Sequence, residues 1–149
     1  MGSALATSAL QAGHTVSVLD EDPLSHERLD VELGRSWEEA GGRFTIGTAL
    51  EVDALVEAGG RFTIGTALEL DALIEAGIDE AQVFIASTNG DNTNLVVAQI
   101  AQRRFEVPRV IARVLDPRRA AWYAEQGVQT ICPTQIAIEQ LQQAALSEL

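Results

Sequence analysis

Short strand-like segments alternate with helical segments along this chain, and that alternation constrains the fold more than any other feature. Four segments have the length and the β-branched composition of strands: TVSVLD (15–20), QVFIAST (82–88), RVIARV (109–114) and VQTIC (128–132). Five segments have helical composition with Asp, Pro or Thr near the start of most of them: 3–12, 24–33, 91–105, 116–126 and 134–147. Strands that alternate with helices pair in parallel. The sequence therefore predicts an α/β fold, a three-layer doubly wound parallel sheet, in one domain over residues 1–149.

An internal repeat interrupts this alternation. Residues 41–58 read GGRFTIGTALEVDALVEA and residues 59–76 read GGRFTIGTALELDALIEA, so sixteen of eighteen positions match. Each copy is predicted to form a strand, RFTIGT, followed by a short helix. Two copies are too few for a solenoid, which needs at least three units that stack. The near-identity indicates a recent or deliberate duplication of one βα unit.

Composition excludes several classes of function. The net charge of −12 repels nucleic acid phosphates and anionic lipid, so we expect no nucleic acid partner. No apolar run approaches the roughly 20 residues of a membrane span, and no signal peptide precedes the first helix. Cys132 is the only cysteine, which rules out an internal disulfide and fits a reducing compartment. We therefore expect a cytoplasmic protein that does not insert into a membrane.

Three segments resemble a known family: GHTVSVLDED, IASTNGDNTNLVVAQIAQRRF and VPRVIARVLDPRRAAWYAEQGVQTICPT. They are similar to the RCK domain, also called KTN or TrkA-N, which regulates potassium channels and Trk-type potassium transporters. The resemblance implies a Rossmann-like fold, a bound NAD(H), ATP or ADP, and a membrane subunit of a potassium channel or transporter as partner. It also implies a homodimer, since the family commonly pairs its domains through helices that flank the sheet.

The resemblance lacks one part of the family pattern. A family member opens with a strand that ends in G-x-G-x-x-G, whose glycines allow the pyrophosphate to approach the backbone. Here Gly2 corresponds to the last of those glycines, and no counterpart of the strand precedes it. We therefore expect dinucleotide binding to be weakened or lost.

The duplicated strand suggests how the sheet is completed. The hypothesis is that residues 61–66 replace the missing first strand and lie between 15–20 and 82–88, with strand 43–48 outside 15–20. Numbered along the chain, the predicted order is 2-1-3-4-5-6, a flavodoxin-like arrangement that keeps right-handed connections. The alternative is that the second copy forms an insertion and a second chain fills the gap by strand swapping.

Five residues are candidates for nucleotide binding, all by correspondence to the family: Gly2, Asp20, Ser87, Thr88 and Arg113. An acid at the position of Asp20 binds ribose hydroxyls, the loop of Ser87 and Thr88 lies beside the dinucleotide, and a basic residue at 113 faces the nucleotide or a neighbouring subunit. Each has a structural alternative. Asp20 would favour a helix N-terminus, Ser87 and Thr88 would form a turn, and Arg113 would pair with Asp91 or Asp116.

The sequence predicts no enzymatic activity and no metal site. It contains none of the G-x-S-x-G, CxxC, HExxH or Walker motifs, and His14 and His26 lack metal-ligand spacing. The predicted function is thus a nucleotide-binding regulatory domain of a potassium uptake or channel system. The alternatives are a rearranged or engineered structural scaffold without a ligand and, as a third, an NAD-dependent oxidoreductase.

Overall fold

The computed structural model describes residues 1–22, 24–34, 36, 44–46, 60–64 and 68–146. The chain divides into two compact units, Met1–Ile78 and Asp79–Leu149. The first contains α1 (Gly2–Gln11), β1 (Val16–Asp20), α2 (Ser25–Leu33), β2 (Phe44–Ile46), β3 (Gly60–Ile64) and α3 (Leu70–Glu75). The second contains β4 (Val83–Ala86), α4 (Asp91–Arg103), β5 (Arg109–Arg113), α5 (Pro117–Glu125), β6 (Gln129–Ile131) and α6 (Pro133–Leu146).

Most of the predicted elements are present within a few residues of their expected ends. The helices at 3–12, 24–33, 91–105, 116–126 and 134–147 correspond to α1, α2, α4, α5 and α6. The helix of the first repeat copy lies outside the described residues. None of the described helices is long and apolar enough to cross a bilayer. The expectation that residues 1–149 form one domain stays a prediction.

The first unit contains a three-stranded parallel sheet in the order β1-β3-β2. Strand β3 pairs with β1 along its whole length, from Val16 opposite Gly60 to Asp20 opposite Ile64. Strand β2 pairs with the other edge of β3, where each of its residues lies opposite the identical residue of the second copy. The duplicated strands therefore lie side by side and in register.

The strand order β1-β3-β2 confirms that the second copy of the repeat pairs with β1. It contradicts the other neighbours that the hypothesis gave to the two copies. Residues 61–66 were expected to pair with 15–20, and β3 does pair with β1. However, β2 was expected beside β1, and it pairs with β3 instead. Since β1 and β2 occupy both edges of β3, the second copy does not take the place of the missing strand beside 82–88. The prediction was wrong because both copies carry the same strand residues, so composition could not decide which copy lies at the centre.

The core of the first unit packs two helices against β1. Ala6 of α1 and Leu29 of α2 are 7% and 1% exposed, and partly buried apolar side chains surround them: Leu10, Val16, Val18 and Leu33. These residues recur at helical spacing on α1 and α2 and at alternate positions on β1, which brings them to one side of each element. Apolar burial thus links the helix before β1 to the helix after it.

The second unit contains a parallel sheet in the order β4-β5-β6, as predicted for these three strands. Alternate residues of a strand point to opposite faces, and the two faces differ here. Ala86, Val110 and Ala112 are buried, with α4 in contact with β4 and β5. Val83 and Ile85 point to the opposite face and remain 50% and 44% exposed. The sheet is therefore well covered on the α4 face only, as far as the described residues show.

Helix α6 differs from the other helices of this unit because it buries none of its side chains. Its large apolar residues are exposed by between 39% and 70%: Ile136, Ile138, Leu141 and Leu146. Glu139 is its only charged residue. The helix therefore presents an apolar, nearly uncharged surface.

Candidate functional site

The candidate site of the second unit lies where β4 and β5 end. Parallel neighbouring strands end at the same edge of a sheet, and loops at that edge are the usual place for a ligand in an α/β fold. Ser87 and Thr88 follow β4, and Arg113 is the last residue of β5. The pairing of Ala86 with Ala112 places these segments next to each other. The structure therefore brings together three of the five predicted residues.

A fully buried amide joins the two strand ends. Asn94, in the first turns of α4, is 0% exposed. Its Oδ1 accepts hydrogen bonds from the backbone N and the Oγ1 of Thr88, at 2.8 and 2.7 Å. Its Nδ2 donates to the backbone carbonyl oxygens of Thr88 and Arg113, both at 2.9 Å. An amide has two N–H donors and two acceptor sites, so the hydrogen-bonding capacity of Asn94 is fully used.

The Arg113 side chain folds back onto the same loop. Its Nη2 donates a hydrogen bond to the carbonyl oxygen of Thr88, which therefore accepts from both Asn94 and Arg113. Its Nε is buried and has no partner among the described residues. Since a buried N–H group without a partner is costly, this atom is the least satisfied polar group at the edge of the sheet.

Arg113 does not form the salt bridge that sequence analysis offered as an alternative. The carboxylate of Asp91 accepts hydrogen bonds from the backbone N of Leu115 and of Asp116, at 2.8 and 3.1 Å. Oδ1 of Asp116 caps α5 by accepting from the backbone N of Arg118, at 2.8 Å. Within the part of the chain that the structure describes, neither carboxylate forms an ion pair with Arg113. Both acids instead fix the loop between β5 and α5.

Ser87 and Thr88 differ in their surroundings. Thr88 is exposed, yet its Oγ1 donates to Asn94 and accepts from the backbone N of Gly90, at 3.3 Å. These bonds form the turn that sequence analysis considered for this loop, and they lead directly into α4. Ser87 is half-buried between Thr88 and the end of β4.

The other two predicted residues belong to the first unit. Gly2 is the first residue of α1, and the N-cap Met1 makes no side-chain hydrogen bond to that helix. Asp20 is the last residue of β1 and is half-buried, and its Oδ1 accepts from the backbone N of Asp22, at 2.9 Å. Asp22 continues the turn by accepting from the backbone N of Leu24 and pairing with Arg28. Asp20 thus contributes one oxygen to the turn that precedes α2.

Sequence reasoning missed Asn94 although a signal was present. Residues 94, 97, 98 and 101 share one face of a helix at spacings of three and four, and all four are buried. A polar amide on an otherwise apolar face must find partners inside the protein. That expectation alone would have pointed to the loop after β4.

No group of His, Cys, Asp and Glu side chains suited to a metal ion occurs among the residues that the structure describes. The edge of β4 and β5 carries the hydroxyl, amide and guanidinium groups of Thr88, Asn94 and Arg113, while the nearby carboxylates of Asp91 and Asp116 are bound to backbone N–H groups. Hydroxyl, amide and guanidinium groups can bind an anion by charge and hydrogen bonds.

Comparisons with known proteins show the family of this chain. The model of the TrkA-N domain matches residues 47–134. The Trk system potassium uptake protein TrkA of Streptomyces coelicolor is 37% identical over 141 residues, which cover 95% of this chain and 52% of that protein. The protein of the same name from Mycobacterium tuberculosis H37Rv is 40% identical over 58 residues, 36% of this chain and 26% of that protein. The chain thus spans about half of the first relative and about a quarter of the second.

Solved structures share the fold, and one of them illustrates the similarity of the backbone. The Kef CTD of Shewanella denitrificans, in its AMP-bound form, aligns with a TM-score of 0.55 at 19% identity, covering 89% of this chain and 79% of that one. At this similarity the alignment shows the α/β, Rossmann-like fold.

Proposed function

Because this chain belongs to the TrkA-N domain family, we propose that it is a nucleotide-binding regulatory domain of a potassium uptake system. The observation that carries the proposal is the edge of β4 and β5, where Thr88 and Arg113 lie side by side inside the matched span. The names of the two TrkA relatives support the proposed link to potassium uptake. The proposed role is regulatory and not catalytic.

The proposed ligand is an adenine nucleotide, with NAD(H), ATP and ADP as the candidates from the family. AMP is bound in the Kef CTD structure that shares the fold. The phosphate would lie against Arg113, whose guanidinium is charged at any physiological pH and is matched to phosphate oxygens. Ser87 would lie along the ligand in the same unit. The roles of Asp20, as an acceptor for ribose hydroxyls, and of Gly2 stay predictions from the family pattern.

We expect the affinity for a dinucleotide to be low. Thr88 already gives its hydroxyl, its backbone N and its carbonyl oxygen to Asn94 and Arg113. A ligand that needed those groups would have to displace hydrogen bonds within the protein, and only the difference in free energy would contribute to binding.

Isothermal titration calorimetry with NADH, NAD⁺, ATP, ADP and AMP at up to millimolar concentration tests the proposal. Arg113→Gln removes the proposed phosphate contact, and we expect a loss of affinity of about tenfold or more. Arg109→Gln is the matched control, because Arg109 begins the same strand, is exposed and carries the same charge. Silent titrations with all five nucleotides, or equal losses in both variants, would contradict the proposed site.

The contribution of Asp20 is tested separately. Asp20→Ala removes the proposed ribose contact, and Asp22→Ala changes the same turn without removing it. We expect weaker nucleotide binding in the first variant only. A ribose contact is excluded if the two variants bind ATP or NADH equally well.

The proposed partner is the membrane subunit of a potassium channel or transporter. Regulation would act by population shift, in which a nucleotide binds one domain arrangement more tightly than another and the membrane subunit responds to the difference. The experiment is a pull-down with the potassium transporter of the source organism in the presence and absence of ATP. Equal retention in both conditions would argue against nucleotide-dependent regulation.

The homodimer expected from the family is proposed to form through α6. Copies of a chain with a net charge of −12 repel each other except through a surface of low charge, and α6 supplies such a surface with one charged residue. Ile138 and Leu141 are three residues apart on one face of the helix, and this face would pack against the same face of a second copy, since a two-fold interface uses the same surface twice. Light scattering should show a dimer for the unmodified chain and a monomer for Leu141→Glu, whereas Val31→Glu, at an even more exposed apolar position on α2, should remain dimeric.

A structural scaffold without a ligand is the second candidate. One observation favours it: the polar groups of Thr88, Asp91 and Asp116 are used within the protein. The same calorimetry decides between the two, because a scaffold predicts a stable fold and no heat with any nucleotide. Nucleotide that copurifies with the chain would exclude the scaffold.

A further inference from the structure

We infer that Asn94 is a positioning residue, which holds the loop of Thr88 against Arg113 and so keeps the guanidinium in the place that receives the phosphate of a nucleotide. The inference rests on the proposed function and adds a residue that the sequence does not suggest as a ligand contact. Asn94 is fully buried beneath the loop and acts only through its two neighbours.

The Asn94 side chain holds the loop after β4 in place. It accepts from Thr88 at the backbone N and at Oγ1, and it donates to the carbonyl oxygen of the same residue. Three hydrogen bonds to one residue restrict its conformation, because they hold the backbone of Thr88 at both its N–H and its carbonyl group.

Asn94 also joins this loop to the end of β5. The fourth hydrogen bond runs from Nδ2 to the carbonyl oxygen of Arg113, and the Arg113 guanidinium returns to the carbonyl oxygen of Thr88. The three residues therefore form a closed ring of hydrogen bonds across two strand ends and one helix. Preorganised groups bind more tightly because less conformational freedom is lost on binding.

The Asn94 side chain carries no charge, and this matters for the charge of Arg113. The carbonyl oxygens of Thr88 and Arg113 both face Nδ2 of Asn94, a neutral donor. A neutral amide leaves the positive charge of the guanidinium available to a phosphate. A carboxylate at the same place has no N–H to donate, would repel both carbonyl oxygens and would add a negative charge close to the proposed phosphate site.

Asn94→Asp tests the inference, since it keeps the size of the side chain and replaces the two N–H donors by an acceptor. We expect ATP binding of the full chain to weaken by about tenfold or more. Val97→Ala is the matched control, because it removes apolar packing from the same buried face of α4 without touching a polar group. We expect Val97→Ala to lower the melting temperature while leaving the affinity unchanged.

A double-mutant cycle separates positioning from mere stabilisation. If Asn94 acts through Arg113, Arg113→Gln should cost little affinity in the Asn94→Asp background although it costs about tenfold alone. Independent, additive losses would overturn the inference. Thr88→Val provides a second variant in case Asn94→Asp does not fold, since it removes the hydroxyl of an exposed residue and only one bond to Asn94. We expect a smaller loss, and an unchanged affinity in a folded Thr88→Val would count against positioning.

A readout without nucleotide distinguishes failure of this inference from failure of the proposed function. The Nε–H resonance of Arg113, assigned by its disappearance in Arg113→Gln, reports on a buried group beside the loop. Asn94→Asp or Thr88→Val should shift it, and Val97→Ala should not. Unmodified chain that binds no nucleotide overturns the proposed function, whereas nucleotide binding together with an unmoved Arg113 resonance overturns the inference alone.

Discussion

Helices α4 and α6 follow strands of the same sheet and have similar lengths, yet their environments are opposite. Five residues of α4 are buried, and α6 buries none. Both sequences have apolar residues at helical spacing, so periodicity alone does not separate them. The comparison shows that an amphipathic pattern predicts a helix, whereas only the surrounding elements decide whether its apolar face is covered within the chain.

The largest expected effect tests whether α4 is the helix that carries stability. Leu95→Ala empties a site that is 1% exposed and should lower the free energy of unfolding by about 2–5 kcal/mol. Leu141→Ala on α6 is the matched control at a site 70% exposed, and it should change that free energy by about 0.5 kcal/mol or less. Urea unfolding at low protein concentration measures both. Equal losses of stability in the two variants would show that α4 and α6 contribute alike to the free energy of unfolding.

A smaller effect is expected at the polar position of the buried face. Asn94→Ala leaves donors and acceptors of Thr88 and Arg113 without their partner and should destabilise the chain by about 1–3 kcal/mol. Asn92→Ala is the control, because Asn92 is exposed and makes a single hydrogen bond to Arg119. Thermal unfolding followed by circular dichroism should separate the two variants. Indistinguishable midpoints would mean that solvent replaces the partners of Asn94.

The smallest effect concerns how the helices of this unit begin. Asp116 caps α5 through the backbone N of Arg118 and of Arg119, and Asp116→Ala should cost about 1 kcal/mol. At the start of α6, the Sγ of Cys132 accepts from the backbone N of Gln135, at 3.4 Å, and sulfur is a weak acceptor. Cys132→Ala should therefore cost less than Asp116→Ala in the same unfolding measurement. A larger loss in Cys132→Ala would show that α6 is attached more firmly than its exposure indicates.

Most helices and strands could be predicted from the sequence because each carried a local signal. The α5 segment shows this best, since Asp116 and Pro117 mark its start and Gly127, with φ of 84°, follows its end. The meeting of Thr88 and Arg113 could also be predicted, because adjacent parallel strands end at one edge.

The order of the strands in the first unit could not be predicted in the same way. The copies at 41–58 and 59–76 differ only at Val52 and Val56, which become Leu70 and Ile74, and both differences lie outside the repeated segment RFTIGT. Pairing is normally selected by the side chains that a strand presents. Here the two strands that could pair with β1 have the same sequence, RFTIGT, so their side chains could not select one of them.

The in-register pairing of β2 and β3 also means that the first unit contains two interchangeable copies of one strand. Phe44 lies opposite Phe62, Thr45 opposite Thr63 and Ile46 opposite Ile64, so exchanging the two strands would leave every one of these pairs unchanged. A shortened chain without residues 41–58 would still possess one complete copy to lie beside β1. Redundancy of this kind lets a gene lose one of the two segments and keep a partner for its first strand.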